Sequence, residues 1–339
     1  MIVSEGQIAD KKGRRSSTER FCEMNRKLII KSNSPLNDIG NRTKKSKYLI
    51  LMIIPAIIFY VVFCYLPMYG ILIAFKDFYP KKGILGSAWA GDNGLSNFQK
   101  IFKDPYFWTV LRNTVIIGVS KLLISFVAAI LMALLINEVR LRFFKKTFQT
   151  IVTFPHFLSW VIVAGLVFNI FGISGIINKA LTLNGHDSMT IIYDKKFFLG
   201  LIFASDVWKE AGWSSIIYLA TMAGISPELY EAADIDGATR LQKIWNITLP
   251  AIKPTAILLL ILSVGGILSA GFDQIINMYN PGVYEVADIL DTYIYRYTLG
   301  SGQRPGEGAA IGLFKSVVSF ILVIMVDRIA KLCGERGII

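Results

Sequence analysis

The sequence predicts an all-α membrane protein with six transmembrane helices, and three observations carry that prediction. Of its 339 residues 53% are hydrophobic and 18% charged, against about 25% charged in soluble domains. Six runs each hold about 20 mostly apolar residues, the length needed to cross a bilayer core as a helix. The segments joining those runs differ sharply in their basic residues, which gives the bundle a sidedness.

The runs are 48–75, 111–136, 150–171, 197–223, 255–278 and 309–332. The first holds Pro55 and Pro67, tolerated as kinks in a membrane helix. Segment 77–110 is aromatic and Gly-rich and predicts a short interfacial helix at 97–102, ahead of Pro105. Outer loops are expected at 184–196 and 280–307, each polar enough to meet a soluble partner. Segments 1–47, 137–149, 224–254 and 328–339 hold 22 Lys and Arg, against 9 in 77–110, 174–196 and 279–308. Both termini and the 224–254 loop are therefore expected in the cytoplasm. The domain plan is a basic tail over 1–47 followed by a transmembrane domain over 48–339.

The net charge of +12 is concentrated in that tail, with twelve Lys and Arg between Lys11 and Lys47. Placed before an apolar run, it reads as a cytoplasmic flank touching anionic lipid rather than as a nucleic-acid surface. Cys22, Cys64 and Cys333 are too far apart in sequence for a metal motif. With only His156 and His186, no zinc-protease motif is possible, and no Gly-Lys dipeptide provides a phosphate-binding loop. Gly172-Ile173-Ser174-Gly175 is similar to the nucleophile segment of rhomboid-type proteases. The sixth run has no His to activate that Ser, so the string reads as the exit of the third span.

The most informative stretch is the polar island at 231–250, EAADIDGATRLQKIWNITLP. Ser226 can cap a first short helix with Pro227 at its start, Gly237 suits a left-handed exit, and Thr239 with Gln242 spells a capping box for a second. Pro250 and Pro254 are expected to interrupt that second helix. Leu229, Tyr230, Leu241, Ile244 and Trp245 offer apolar contacts to another protein.

In this frame Glu231, Ala232, Ala233, Asp236, Gly237, Ala238, Ile247, Leu249 and Pro250 match the EAA signature of ABC importer membrane subunits. The chain is identified as a member of that group. SNFQKIF with Arg112, Asn113 and Thr114, TFPHFLSW, VWKEAGW and AIGLFKSVV resemble its carbohydrate-type, polysaccharide-permease branch. Trp245 stands near where many members carry Phe.

The resemblance implies a type I ABC importer fold and a non-catalytic subunit coupled through Glu231, Ala232, Ala233, Asp236, Gly237, Ala238, Leu241 and Trp245. It also implies a second permease subunit (a heterodimer first, a homodimer open), two ATPase subunits holding ATP and Mg, and an extracellular sugar-binding protein. The location would be a bacterial plasma membrane and the cargo a saccharide. The alternative is a secondary transporter driven by an ion gradient, although no inverted repeat is visible.

Ionisable residues inside spans are functional candidates. Asp206, Lys209, Glu210 and Trp213 share one helical face. That face either lines a hydrophilic pathway, with Trp208 or Trp213 stacking on a sugar, or forms an ion-pair cluster that locks the bundle. Asn169, Asp273, Gln274, Asn277 and Tyr279 are further pathway candidates. Lys121 and Lys315 are expected to lie near the outer thirds of their spans or to snorkel towards an interface, and so to be structural, His156 to pack, and Gly308 with Gly312 to form a close helix contact.

Overall fold

The computed structural model describes residues 47–300 and 304–332; the basic tail expected over 1–47 lies almost wholly outside them. The chain divides into two compact units, residues 1–69 and 70–339. In the first unit, helix α1 (Lys47–Tyr60) includes Pro55 and runs into a π turn, Val61–Tyr65. The Leu66 N–H bonds back to Val61 O. The wider turn falls directly before Pro67, whose ring would clash with the carbonyl four residues back in a regular helix. A 3-10 stretch, Leu66–Phe75, then leads into the second unit.

The second unit begins with a small antiparallel ribbon, β1 (Lys76–Asp77) on β2 (Ala88–Trp89), and the interfacial helix α2 (Ser96–Lys103). The long helix α3 (Pro105–Glu138) is capped by Asp104, whose carboxylate accepts the Tyr106 N–H at 2.9 Å. The third run, expected as one rod, is broken. Helix α4 (Arg142–Thr153) ends in a 3-10 turn over Phe154–Phe157, and α5 (Trp160–Phe171) restarts after Ser159. Pro155 removes a helix donor here, and Ser159 Oγ accepts from the Ile162 N–H as the new N-cap. The GISG string is the turn from α5 into α6 (Ile176–Leu183).

Helix α7 (Lys195–Ala223) leads to the elbow helices α8 (Pro227–Ile235) and α9 (Arg240–Lys243). A π turn, Ile244–Thr248, joins α9 without interruption to α10 (Leu249–Val264). The expected break at Pro250 and Pro254 is therefore absent. The π turn lies just before Pro250 and relieves its backbone clash, while Pro254 is held inside α10. The fifth run breaks later instead. After Val264 a glycine pair and a 3-10 turn, Ile267–Ser269, precede Ala270 and Gly271, both left-handed at φ 47° and 78°. Helix α11 (Phe272–Met278) then completes the run. The segment expected as an outer loop at 280–307 is largely helical, with α12 (Leu290–Leu299) packed on α13 (Pro305–Leu332).

Five helices among the described residues are long and apolar enough to cross a membrane: Leu51–Phe75, Pro105–Glu138, Trp160–Leu183, Arg240–Val264 and Pro305–Leu332. Helix α7 has 29 residues, about 43 Å at 1.5 Å per residue, but carries Asp206, Lys209 and Glu210 in its interior. The α3–α7 pair forms the spine of the unit. One apolar cluster joins Ile117, Val167, Phe198, Ile202 and Ile275. A second joins Ala129, Ala133, Tyr218, Met222, Ile252 and Ala256, near the elbow.

Two glycines set the closest approaches. A Cβ on Gly212 would lie 2.0 Å from Val152 O, and one on Gly118 would lie 2.2 Å from Ile267 O. The expected Gly308–Gly312 contact is half present. A Cβ on Gly308 would meet Thr298, whereas Gly312 faces open space.

Candidate functional site

Two sites emerge, a polar cleft between helices and an exposed elbow. The cleft, about 290 Å³ in volume, lies between α3, α7 and the broken fifth run. Lys121 and Ser125 come from α3, Asp206, Glu210 and Ser214 from α7, and Ser263, Gly266 and Gly271 from the break.

The charges on its walls are all engaged. Lys121 Nζ lies 2.8 Å from Asp206 Oδ1 and donates to Gln274 Oε1 at 2.6 Å. Ser125 Oγ donates to Asp206 Oδ2 at 2.7 Å. Gln274, fully buried, donates from Nε2 to Ile202 O and to Ser205 Oγ at 2.7 and 2.9 Å. One turn along α7, Lys209 Nζ donates to Glu210 Oε1 at 3.0 Å and to His156 O at 2.7 Å. The second Glu210 oxygen lies 2.7 Å from His156 Nδ1. Trp213 stacks flat on His156, with ring centroids 4.4 Å apart. Such mutual pairing is what makes buried charge tolerable at membrane depth.

Sequence reasoning placed Asp206, Glu210 and Trp213 on one face, and the structure gathers them, with Asp206 and Glu210 lining the cleft. Of the two positions open to Lys121 the structure takes the one without snorkelling: it turns inward, only 12% of its side chain exposed, because Asp206 and Gln274 are within reach. Lys315 likewise pairs with both oxygens of Asp291 at 2.7 Å. On the shared face of α7, Lys209 pairs with Glu210, and Asp206 takes Lys121 from α3. His156 is engaged by Glu210 and Trp213 because the α4–α5 break carries it to α7. The i,i+4 spacing of Lys121 and Ser125 was the available signal for a polar face on α3.

The other pathway candidates do not line the cleft. Asn169 and Asp273 are exposed, and Trp208 is half exposed on α7. Asn277 Nδ2 donates to Asp273 O. Tyr279 packs on Tyr284 at 4.7 Å, and burial, aided by Tyr284, pushes its phenol up to about 12.

The elbow is built as its sequence prescribes. Gly237 adopts φ 72°, the Ala238 N–H bonds to Ala233 O at 2.8 Å, and the Gly237 N–H bonds to Asp234 O at 3.1 Å. This is a Schellman closure, and it accounts for a glycine at that position. Thr239 and Gln242 form the capping box. Ser226, expected as a cap, makes no side-chain cap bond, although Pro227 does begin α8. Lys243 pairs with Asp234, and the Tyr230 and Thr248 hydroxyls meet at 2.9 Å, bracing α8 on the base of α9–α10.

Glu231, Ala232, Asp236 and Gly237 are exposed, and Ala233 and Ala238 half buried. Leu241, Trp245 and Ile235 are 69%, 68% and 87% exposed. Ile235 was the apolar member that sequence reading missed.

Residues 125–334 match the family described as "Binding-protein-dependent transport system inner membrane component". The polygalacturonan/rhamnogalacturonan transport system permease protein YteP of Bacillus subtilis (strain 168) is 45% identical over 295 residues, covering 87% of this chain and 91% of YteP. Protein LplB of the same organism is 41% identical over 296 residues, covering 87% and 92%. A chain of the bacterial alginate ABC transporter, crystallised with an alginate pentasaccharide-bound periplasmic protein, matches with a TM-score of 0.79 at 38% identity, covering 88% of this chain and 99% of that one. An exposed, internally braced elbow below a charge-paired helical bundle is thus found in a chain that belongs to the binding-protein-dependent transport system inner membrane components, the permease subunits of ABC importers.

Proposed function

We propose that the chain imports a saccharide of oligomer or polymer class. In this reading it forms half of the translocation pathway and takes its power from ATP hydrolysed, with Mg, on two separate subunits. A second permease subunit completes the route, and an extracellular sugar-binding protein delivers the cargo. Both termini and the elbow lie on the cytoplasmic side of a bacterial plasma membrane. The basic tail over 1–47 then belongs to the cytoplasmic flank, and 48–339 to the permease domain.

The observation that carries the coupling half is the elbow, which leaves Ile235, Leu241 and Trp245 uncovered on a rigidly braced element. Large apolar side chains on a polar surface mark a docking site. Glu231, Ala232, Ala233, Asp236, Gly237 and Ala238 shape the surface those side chains protrude from. The saccharide half is supported by the relatives named for polygalacturonan, rhamnogalacturonan and alginate. The cleft offers Ser125, Ser214 and Ser263 hydroxyls beside balanced charge, a chemistry that suits hydroxyl-rich cargo. Outside the cleft, Trp208 and Trp213 supply ring faces on α7, Asp273 and Asn277 polar groups on α11, Tyr279 a ring just past its end, and Asn169 an exposed amide on α5. Of the outer cations Lys195, Lys196, Arg296 and Arg304, which would suit an acidic saccharide, Lys195, Arg296 and Arg304 are paired with Glu285, Asp288 and Glu307.

The test is uptake into proteoliposomes holding the complete complex, with labelled oligogalacturonides, alginate oligomers and neutral maltooligosaccharides offered in turn. Vanadate-sensitive, ATP-dependent uptake of at least one saccharide is expected. Uptake driven by an ion gradient without nucleotide, or no saccharide uptake with ATP, overturns the reading.

A further inference from the structure

The fifth run is held very differently on the two sides of its break. From Arg240 to Val264 it is one continuous helix that starts in the elbow. The elbow is fastened to its base by the Lys243–Asp234 pair and the Tyr230–Thr248 contact. Toward α3 and α7 this half presents Ile252 and Ala256, packed on Ala129, Ala133, Tyr218 and Met222. Apolar packing of this kind is non-directional, and the polar contact beside it, Thr221 Oγ1 to Thr255 Oγ1, is long at 3.3 Å.

Beyond the break the contacts are directional. A Cβ on Gly118 would fall 2.2 Å from Ile267 O, so the backbones nearly touch there. Lys315 Nζ donates to Ser269 Oγ at 3.0 Å. Lys121 Nζ lies where a Cβ on Gly271 would be, 2.2 Å from it, and bonds Gln274 while pairing with Asp206. Gln274 in turn donates twice to α7. Buried polar bonds of this type are expensive to leave unmade. Between the two halves stand Gly265 and Gly266, whose backbone no Cβ restricts.

We propose that Lys121 and Gln274 are positioning residues for transport. They anchor the α11 half of the fifth run to α3 and α7, so that the elbow's stroke is taken up at Gly265 and Gly266. Ser263 and Gly266 line the cleft from the moving side, and Lys121, Ser125 and Asp206 from the fixed side. The stroke therefore changes the width of the cleft directly. This rests on the coupling role proposed above for the elbow.

The experiment uses the whole complex in lipid nanodiscs, with Cys22, Cys64 and Cys333 replaced by serine and spin labels placed in pairs. One pair joins Ala204 on α7 to Leu262 on α10; the other joins Ala204 to Ile276 on α11. Trapping with ATP and vanadate is expected to shift the 204–262 distance and leave the 204–276 distance in place. In Gln274→Met, the 204–276 distance should shift as well. Saccharide uptake should then drop at least fivefold while ATPase turnover stays within twofold. In the Gly265→Ala/Gly266→Ala pair no new Cβ comes nearer than 3.5 Å to backbone, and the one at 265 meets the Val323 methyl at 3.2 Å; the pair should likewise lower uptake at retained ATPase turnover.

Equal movement of both pairs in the unmutated complex, or no movement in either during ATP turnover, overturns the proposal. So does Gln274→Met transporting normally. A complex that hydrolyses no ATP fails at the coupling reading itself, a result separable from these.

Discussion

His156 lies flat against Trp213, with ring centroids 4.4 Å apart and planes 4° apart, and its Nδ1 reaches Glu210 at 2.7 Å. The 3-10 turn after α4 is thereby bound to the middle of α7. The stack and the ion pair differ in worth. Trp213 is 44% exposed, so Trp213→Ala should cost about 1 kcal/mol, the scale of an aromatic pair. Glu210→Gln removes the carboxylate from buried Lys209, and stranding a buried charge costs about 3 kcal/mol or more. Thermal unfolding in detergent should show the larger fall for Glu210→Gln. The reverse order would mean that the stack, not the charge, holds the turn.

Gly212 and Gly200 lie on the same helix and should respond oppositely to alanine. A Cβ at 212 would sit 2.0 Å from Val152 O, a backbone atom that cannot step aside, whereas at 200 nothing lies within 4 Å. Gly212→Ala should therefore destabilise by about 1–3 kcal/mol through overpacking. Gly200→Ala should be neutral or stabilising by up to about 1 kcal/mol through helix propensity. Melting temperatures of the two variants in one detergent decide it.

The contrast shows where sequence ran out. Apolar runs marked the first, second and last spans closely, but the third, expected at 150–171, is Trp160–Leu183 and the fifth, expected at 255–278, is Arg240–Val264; the elbow was legible because capping box and Schellman closure are local devices. The breaks at Ser159 and at Gly265–Gly271 were passed over because apolar character continues through both, although Pro155, Ser159 and the glycines mark them locally. What was not legible is the distant partner each break meets, Glu210, Gly118 or Lys121. Which of its two positions Lys121 takes was hidden for the same reason: it is decided by whether an acid lies across the interface, and Asp206 is 85 positions away. Conversely, Pro250 and Pro254 looked like helix breakers because a compensating π turn leaves no signature in composition.

Lys121→Met and Asp206→Asn offer a test of coupling within the cleft. Each single change strands a buried charge, at about 3–5 kcal/mol. The double variant strands none, so its loss should be smaller than the sum by at least about 1 kcal/mol. Unfolding of all four proteins in a double-mutant cycle measures the difference. Additive losses would show that the 2.8 Å pair is incidental.

Gly237 isolates a backbone effect, since no atom lies within 4 Å of a Cβ there while φ is 72°. Gly237→Ala should cost about 1–2 kcal/mol, the left-handed penalty of an L-residue, and Gly237→Asn less, since Asn tolerates that region. Both proteins should reach the membrane. ATP-driven uptake should fall more for Ala than for Asn, and Gly237→Pro or Glu231→Lys should uncouple uptake from hydrolysis. Equal uptake by all four variants would detach the elbow from the stroke.

Trp245 and Leu241 distinguish a docking surface from a merely exposed one. Their side chains are about two-thirds exposed, so truncation removes little packing from the permease and should leave its melting temperature within about 1 °C, as for surface changes generally. If they are anchors in the ATPase cleft, each truncation to alanine should cost about 2 kcal/mol of binding or more, at least about a 30-fold weaker complex. Ile235→Ala is the internal comparison, being more exposed than either and lying at the far end of α8. Titrating purified ATPase subunits onto immobilised permease gives the three affinities. A drop for Trp245→Ala and Leu241→Ala with a smaller one for Ile235→Ala places the contact on the second elbow helix. A drop for Ile235→Ala alone moves it to the tip, and unchanged affinity in all three removes the elbow from the interface.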